Sequence, residues 1–351
     1  MIKTTALLSP YMKQTSIIYL DWNSHGRISP AVLATMSDTW TWSVNPASKH
    51  SAGQATKRYL NSLTKQLLDN FNADSSNGCA LVAGHNIVYT SGATEANIRM
   101  LKEYNTVFVS DVEHPSVREC PHATVIPVDS DGRLDDDMLI HHMRNVDGPF
   151  LVSYMLANHE TGIINDVASI AKLVHKHGGH MHTDAVQAFG RIDIDLQELD
   201  VDYMTITAHK CGGPIGIGGL IYRENVCGGK SRMGTVPVPL VAGMVASMNL
   251  PRGDNSALES AFPGSIIVGK HLNRLPNTTC IMCNNKTEMM MGLDMKNICI
   301  STGSACTSDK SDRAHSTTAM GIPSDTIRIS SGWSTKEAEL KMCAEAVMGL
   351  L

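Results

Sequence analysis

The stretch YMTITAHK at residues 203–210 is rich in β-branched and aromatic residues and ends on a lysine, and a glycine-rich stretch follows it at 211–219. Residues of this kind favour a buried strand over 203–207, and the small residues after it leave space around Lys210. A lysine held at the end of a buried strand is suited to bind an aldehyde as a Schiff base. The stretch therefore predicts a reactive amine at the end of a central strand.

Strands and helices alternate through the first two thirds of the chain. Short apolar stretches predict further strands at 87–90, 106–109, 124–128, 150–156 and 180–183. Amphipathic periodicity predicts helices at 54–71, 134–143 and 167–177. This alternation is typical of an α/β protein with a mostly parallel sheet sandwiched by helices, which binds ligands at the carboxyl ends of its strands. From about residue 250 the pattern loosens, which predicts a second, smaller domain.

The composition favours a protein that acts on small molecules. The 351 residues include 29 basic and 34 acidic side chains, so the net charge is −5. No basic surface for nucleic acid or an anionic membrane is indicated. Nine cysteines without a secretory signal are typical of reduced intracellular thiols, and no apolar run reaches the roughly 20 residues that span a bilayer. We therefore expect a soluble, cytoplasmic protein that contacts neither nucleic acid nor membrane.

Side chains suited to a phosphorylated cofactor follow the predicted strands. Residues 90–94 combine hydroxyls and backbone N–H groups at a predicted helix N-terminus, which favours an anion. Asp184, at the end of another strand, can pair with a protonated pyridine nitrogen. His114 and Asn158 follow two further strands and can stack on a ring or hydrogen-bond a hydroxyl or carboxylate. An ordinary helix cap or loop contact is the simpler alternative for each of these positions.

A histidine-rich run leaves a metal site as an alternative. The candidates are His175, His177, His180, His182 and Asp184. They straddle a helix end, a Gly-Gly turn and a strand, so their convergence on one ion is not expected. Cys280 and Cys283 form a lone Cys-x-x-Cys pair with no second pair at zinc spacing. We therefore expect no metal.

A cysteine and an arginine complete the candidate site. Cys306 lies among small polar residues at 301–308, a composition typical of an exposed loop and not of a packed core. It is therefore a candidate nucleophile. Arg328 lies on a predicted strand between apolar neighbours, where a guanidinium needs an anion such as a substrate carboxylate.

Together these motifs resemble the cysteine desulfurases, the NifS/IscS-like branch of the fold-type I, class V pyridoxal phosphate (PLP) enzymes. The motifs that carry the resemblance lie, in matching order, at 19–21, 45–48, 90–95, 113–114, 158–162, 184–187, 209–210, 303–308 and 327–328. The resemblance implies a fold-type I transferase. Its large cofactor-binding domain would span 21–245, and a smaller α+β domain, formed by 1–20 and 246–351, would carry the cysteine loop.

The resemblance implies roles for the catalytic and ring-binding residues. Lys210 would bind the cofactor covalently and move the substrate α-proton. Cys306 would take up the sulfur, and His114 would stack on the ring and handle the thiol proton. Asp184 would pair with the pyridine nitrogen and Gln187 with the ring hydroxyl.

It also implies which residues hold the phosphate and the substrate. Asn158 would contact the cofactor and, together with Arg328, the substrate carboxylate. The residues implied for the phosphate are Ala93, Thr94, Thr207 and His209, with Thr235 reaching it from the other subunit of a homodimer.

The implied reaction converts L-cysteine to L-alanine and leaves a persulfide on Cys306 for a protein acceptor, which could serve iron–sulfur cluster assembly or tRNA thiolation. The sequence departs from the family pattern at 22–25, 227–231 and 332–333. It stops soon after Arg328, so we expect no C-terminal extension of the kind that docks a scaffold protein. Two other interpretations stay open: a selenocysteine lyase or other class V PLP enzyme, and a catalytically inactive or metal-binding relative.

Overall fold

The computed structural model describes residues 17–72, 85–224, 226, 234–303, 315–322 and 325–351. The strands in this part of the chain are β1 (Ile18–Tyr19), β2 (His85–Thr90), β3 (Thr106–Ser110), β4 (Ala123–Ile126), β5 (Phe150–Ser153), β6 (His180–Asp184), β7 (Tyr203–Thr207), β8 (Gly218–Arg223), β9 (Thr278–Cys283), β10 (Ile298–Cys299) and β11 (Asp325–Ser330). The helices are α1 (Pro30–Trp42), α2 (Ser51–Asp69), α3 (Ala93–Leu101), α4 (Pro115–Arg118), α5 (Asp136–Met143), α6 (Val167–Lys176), α7 (Leu196–Leu199), α8 (Val238–Ser247), α9 (Ser256–Glu259), α10 (Lys286–Asp294), α11 (His315–Ala319) and α12 (Glu337–Met348). None of these helices combines the length and the apolar character needed to cross a bilayer.

Seven strands form the central sheet in the order β2-β8-β7-β6-β5-β3-β4. The pairs β3–β4, β3–β5, β5–β6 and β6–β7 are parallel, whereas β8 is antiparallel to both β7 and β2. The predicted α/β fold with a mostly parallel sheet is therefore confirmed. Strand β8 was not among the predicted strands, because it begins with Gly218 and Gly219 and glycine pairs indicate a turn.

Both faces of the sheet are buried. On β3, Phe108 packs into one apolar core, while Val107 and Val109 pack into another. Side chains alternate across a strand, so a strand covered on both faces needs apolar residues at successive positions. Helix α6 contributes to the first core and α3 to the second, which places helices on both faces as the sequence predicts.

Capping side chains set where two of these helices begin. Asp135 accepts a hydrogen bond from the Met138 amide at 2.9 Å, so α5 begins two residues after the predicted position 134. Asp166 accepts from the Ser169 amide at 3.1 Å, and α6 begins at Val167 as predicted. Each carboxylate satisfies a backbone N–H that has no partner within its helix.

A third hydrophobic core lies among α9, α10, α12 and two small sheets. Strands β9 and β11 pair antiparallel, and β1 pairs in parallel with β10. Ile18 and Leu20 pack in this core with Ile281, Ile329 and Leu340. The segment around β1 thus packs with the C-terminal third of the chain. The boundaries assigned to the two domains stay a prediction.

Replacing Gly179 by alanine should destabilise the central sheet. The added methyl carbon would lie 2.2 Å and 2.5 Å from two ring atoms of Phe150, which is buried on β5. We expect the free energy of unfolding to fall by about 1–3 kcal/mol, measured by urea denaturation. Gly264→Ala is the control, because its nearest new neighbour is 3.5 Å away. Equal stability of the two variants would contradict the expected clash.

Candidate active site

The carboxyl ends of β6 and β7 border a cavity of about 360 Å3. Nine of the predicted site residues line it: Ala93, Thr94, His114, Asp184, Gln187, Thr207, His209, Lys210 and Arg328. Asn158 does not line the cavity. Thr235 is exposed, and Cys306 lies outside the described residues.

The backbone that carries Lys210 is fixed from two sides. Gly26 donates its N–H to the carbonyl of His209 at 2.7 Å, and Arg191 donates to the carbonyl of Lys210 at 2.9 Å. The His209 ring stacks on His25, with ring centres 5.9 Å apart. Burial, and then the positive charge of Lys210, lowers the pKa of His209 to about 4. His209 is therefore neutral at physiological pH, and the amine of Lys210 follows directly after a rigid segment.

The start of α3 borders the cavity. Residues 91–94 line it together with Thr207 and His209. Strand β8 approaches closely: a methyl group on Gly218 would lie 2.8 Å from the backbone of Gly92. A helix N-terminus with small residues and nearby hydroxyls binds phosphate well.

Asp184 and His114 face the cavity from two different elements. Asp184 ends β6, and its Oδ1 accepts the N–H of Val186 at 3.0 Å. His114 precedes α4, and its Nδ1 accepts the N–H of Ser116 at 3.1 Å. Burial, and then the charge of Lys210, lowers the pKa of His114. The carboxylate can pair with a pyridine nitrogen, and the imidazole can form a wall over a planar ring.

Gln187 belongs to a buried network that the sequence did not predict. Its Oε1 accepts from Arg191, and its Nε2 donates to the carbonyl of Asn23 at 3.1 Å. Arg191 also donates to Oδ1 of Asn23 at 2.8 Å. Burial lowers the pKa of Arg191 to about 10. These contacts fix the Gln187 amide at the edge of the cavity.

Arg328 is buried and already paired within the chain. Its Nη2 donates to Asp21 at 2.8 Å and to Ser24 at 2.9 Å, and its Nη1 donates to the carbonyl of His159 at 2.8 Å. The anion that this guanidinium was predicted to need is thus supplied by Asp21, 307 positions away in sequence. Its Nε has no hydrogen-bond partner in the described residues, so a donor is still available to a ligand.

His159, and not Asn158, lines the cavity. The amide of Asn158 donates to Ser316 at 3.0 Å and accepts from the backbone N–H groups of Glu160 and Thr161 at 2.9 Å. The cofactor and carboxylate contacts of Asn158 therefore stay a prediction that this geometry does not support. The sequence motif places both residues in one turn, and nothing in it indicates which of them faces inwards.

The His159 ring is buried, and neither of its nitrogens has a hydrogen-bond partner in the described residues. Burial, and then the charges of His114 and Lys210, holds its pKa well below the usual range. A neutral imidazole with unsatisfied nitrogens is typical of a site that receives a polar ligand.

The histidines and cysteines of the metal interpretation are engaged elsewhere. His175 pairs with Asp202 at 2.8 Å, and His180 lies 2.8 Å from the hydroxyl of Tyr104. The Cys280 and Cys283 thiols are buried on β9, which raises their pKa values to about 12 and about 11. Across the described ranges, no three His, Cys, Asp or Glu side chains form a group that could hold a metal ion.

Glu113 lies buried behind the cavity. Its carboxyl accepts from the Met155 amide at 2.6 Å and from Ser110 at 3.0 Å. Burial, and then the charge of Asp184, raises its pKa to about 8. Glu113 is therefore mostly protonated near neutral pH.

This raised pKa predicts a pH-dependent effect of Glu113→Gln. An unfolded chain loses the proton near pH 4.5, whereas the folded chain keeps it to about pH 8. The wild-type free energy of unfolding therefore falls between these values as pH rises, by at most about 1.4 kcal/mol per pH unit from this group. Urea denaturation at several pH values should show Glu113→Gln gaining stability relative to wild type as pH rises. Glu103→Gln, at an exposed position, should show no such trend, and a flat difference for Glu113→Gln would contradict the assignment.

Comparison with known proteins agrees with this geometry. The profile of the family described as Aminotransferase class-V matches residues 18–250. The chain is 33% identical to a cysteine desulfurase of Cereibacter sphaeroides, over 94% of each chain. It is 32% identical to a cysteine desulfurase of Sinorhizobium fredii, over 87% of this chain and 88% of the relative. The X-ray structure of a NifS-like protein from Rickettsia africae superposes with a TM-score of 0.82 at 28% identity, covering 95% of this chain and 99% of the other.

Both the family profile and these relatives match most of the chain, and the cavity is lined by a lysine, a carboxylate and a helix N-terminus, which are groups suited to PLP. The chain therefore belongs to the class-V aminotransferase family, in its cysteine desulfurase branch, and is a PLP-dependent enzyme.

Proposed function

We propose that the protein is a cysteine desulfurase that removes the sulfur of L-cysteine, releases L-alanine and holds the sulfur as a persulfide on Cys306 for a protein acceptor. The observation that carries this proposal is the placement of Lys210, Asp184 and His114 around one cavity, with Arg328 beside them. An amine, a pyridine partner, a ring wall and a carboxylate-binding group thus meet in one place.

The residues of the cavity fit PLP. The start of α3, with Thr207 and His209, would hold the phosphate, and Asp184 would pair with the pyridine nitrogen. The His159 ring nitrogens and Nε of Arg328 make no hydrogen bond in the described residues, which matches a polar ligand beside them. When bound, PLP supplies an aldehyde that links to an amine and a ring that stores the electron pair released at the α-carbon.

The chain's own residues would hold the substrate and move its protons. Arg328 and the neutral imidazole of His159, which both line the cavity, would donate hydrogen bonds that orient the carboxylate of L-cysteine. The Lys210 amine would take the α-proton. His114 would cover the reacting atoms, exclude water and exchange a proton with the substrate sulfur.

The sulfur step needs only the substrate and one thiolate. The thiolate of Cys306 would form a new S–S bond with the substrate sulfur while the C–S bond breaks. The electron pair of that bond stays with the carbon, which then takes up a proton to complete L-alanine. No external oxidant or reductant is required.

The described residues on either side of 304–314 lie next to residues that line the cavity, which supports the proposed role of Cys306. Ser301 and Arg328 exchange two backbone hydrogen bonds, at 3.1 Å and 2.7 Å. Gly303 precedes Cys306 by three residues, which span about 10 Å at most. On the other side, Glu160 accepts from the backbone N–H of His315 at 3.0 Å. Arg328, which lines the cavity, thus pairs with Ser301 on one side. His159, which also lines it, precedes Glu160, the partner of His315 on the other side.

Cys306→Ser should abolish sulfur transfer without loss of the cofactor. We expect release of sulfide from L-cysteine to fall roughly 1,000-fold or more, because the nucleophile is removed, while the visible absorption of bound PLP remains. Cys299→Ser is the matched control, since Cys299 lies on β10 and does not line the cavity. Lys210→Ala should lose the borohydride-sensitive visible band.

Two outcomes would overturn this assignment. Full desulfurase activity of Cys306→Ser would show that another group accepts the sulfur. Release of selenide from L-selenocysteine, with none of sulfide from L-cysteine, would favour a selenocysteine lyase.

We also propose that the protein is a homodimer that uses the outer face of α1. The inner face of α1, with Met36, packs against Gly243 of α8. The outer face leaves Leu33 50% and Trp40 58% exposed, seven residues apart and therefore on one side of the helix. Val44, shortly after the end of α1, is also exposed. A surface of this kind, continuous along two helical turns, is typical of a subunit interface.

Trp40→Glu should weaken the dimer, because it places a charge in the apolar interface. We expect the wild type to sediment as a dimer and the variant to shift to the monomer mass at micromolar concentration. The cofactor affinity should fall with it if Thr235 reaches the phosphate from the other subunit. Met342→Glu, an equally exposed position on α12, is the control. A monomeric wild type, or a fully dimeric Trp40→Glu, would contradict the proposed interface.

A further inference from the structure

Asn97 connects two parts of the site through its amide group. The residue lies on α3 and is completely buried. Its Nδ2 donates to Oγ of Ser116 at 2.9 Å and to Oδ2 of Asp184 at 3.0 Å. An amide nitrogen carries two hydrogens, so both are used in these bonds. One side chain thus links the carboxylate at the end of β6 with the first turn of α4.

Ser116 passes this link on to His114. Because its Oγ accepts from Asn97, its own hydrogen remains available, and Nδ1 of His114 lies 2.8 Å away. The backbone N–H of Ser116 points to the same nitrogen at 3.1 Å. Two donors at Nδ1 require a lone pair there, so a neutral His114 carries its proton on Nε2.

We propose that Asn97 and Ser116 are positioning residues: Asn97 orients Asp184 and Ser116 together, and Ser116 fixes His114 in the tautomer that presents N–H, and not a lone pair, to the cavity. In its neutral form His114 is then a proton donor towards the bound substrate. The effect of this tautomer on catalysis rests on the proposed desulfurase function. The assignment of the tautomer does not depend on that function.

The charges around His114 are compatible with this assignment. Lys210 and Asp184 face its ring from the strand ends, Glu119 lies on its own segment, and the His159 ring packs edge-on at 5.8 Å. Burial and Lys210 lower the pKa of His114, and the two carboxylates oppose them. The imidazole is therefore neutral near pH 7, which makes the choice of tautomer decisive for the proton that it offers.

The direct test is NMR of the PLP-loaded protein labelled with 15N-histidine, with the His114 signals identified by their loss in His114→Gln. We expect the wild type to show an unprotonated Nδ1 and a protonated Nε2 near neutral pH. A protonated Nδ1 would overturn the proposal whether or not the protein desulfurates cysteine. Absence of desulfurase activity with the expected tautomer would instead overturn the proposed function alone.

Kinetics of four variants test the positioning role. Ser116→Ala should lower kcat about tenfold with KM within about twofold, the effect expected from loss of one hydrogen bond to the imidazole, and Ser116→Thr should restore activity. Asn97→Leu keeps the branched shape of the side chain but removes both donors, so it should lower kcat similarly and shift the pH midpoint of the cofactor's visible band. Asn97→Asp sets a second carboxylate against Asp184 and should be worse. Wild-type kcat and an unshifted band in Ser116→Ala and Asn97→Leu would overturn the proposal.

Asn255→Leu is the matched control for loss of a buried amide. Asn255 is also completely buried, and its Nδ2 donates twice, to Thr279 and to the carbonyl of Ile329, each at 3.0 Å. Its Oδ1, like that of Asn97, has no partner in the described residues. It lies outside the cavity lining, so Asn255→Leu should lose stability as Asn97→Leu does and yet leave the spectral midpoint unchanged. An equal spectral shift in both variants would assign the effect of Asn97 to stability alone.

Discussion

Parallel pairing of β5, β6 and β7 is the constraint on which the site depends. Asp184 lies opposite Thr205 in the register of β6 and β7, and Lys210 follows on from the end of β7. Because parallel strands end at the same edge of a sheet, the carboxylate and the amine reach one cavity without any special loop. A slip of one residue would turn Asp184 to the opposite face of the sheet. The apolar residues that fill both faces of the sheet therefore also fix the distance between the two charged groups.

Burial at this edge determines the charges that the site can carry. Lys210, Arg328 and Arg191 bring positive charge to this edge. Arg191 and Arg328 are buried, and Arg328 is paired with Asp21. Burial, and then the charges of His114, Lys210 and Arg328, hold the pKa of His159 well below its usual range and keep the imidazole neutral. Cationic side chains at this edge stabilise anions, which agrees with the proposed binding of a cofactor phosphate and a substrate carboxylate. The same positive charge would favour a thiolate that enters from outside.

The sequence predicts the parts of the site that follow from local patterns. Asp184 lies at the end of one predicted strand and Lys210 follows another. Because the ends of strands can be predicted from the sequence, their position at the same edge of the sheet can be predicted too. Asn97 and Arg191 carry no such signal, because each lies inside an ordinary helical or turn pattern and gains its meaning from partners on other elements. The pairing of Arg328 with Asp21 joins the two ends of the chain, and only the completed fold brings them together.

The turn at 157–162 shows why the sequence alone does not predict which side chains of a loop face the cavity. Asn158 and Glu160 face the backbone and side chains of α11, whereas His159 between them lines the cavity and offers its carbonyl to Arg328. Gly162, with φ of 75°, ends the turn so close to Thr278 that a methyl group would lie 2.9 Å from its Cβ. This close approach fixes which residues point in and which point out. One turn therefore contacts both the cavity, through His159, and the start of α11, through Asn158 and Glu160.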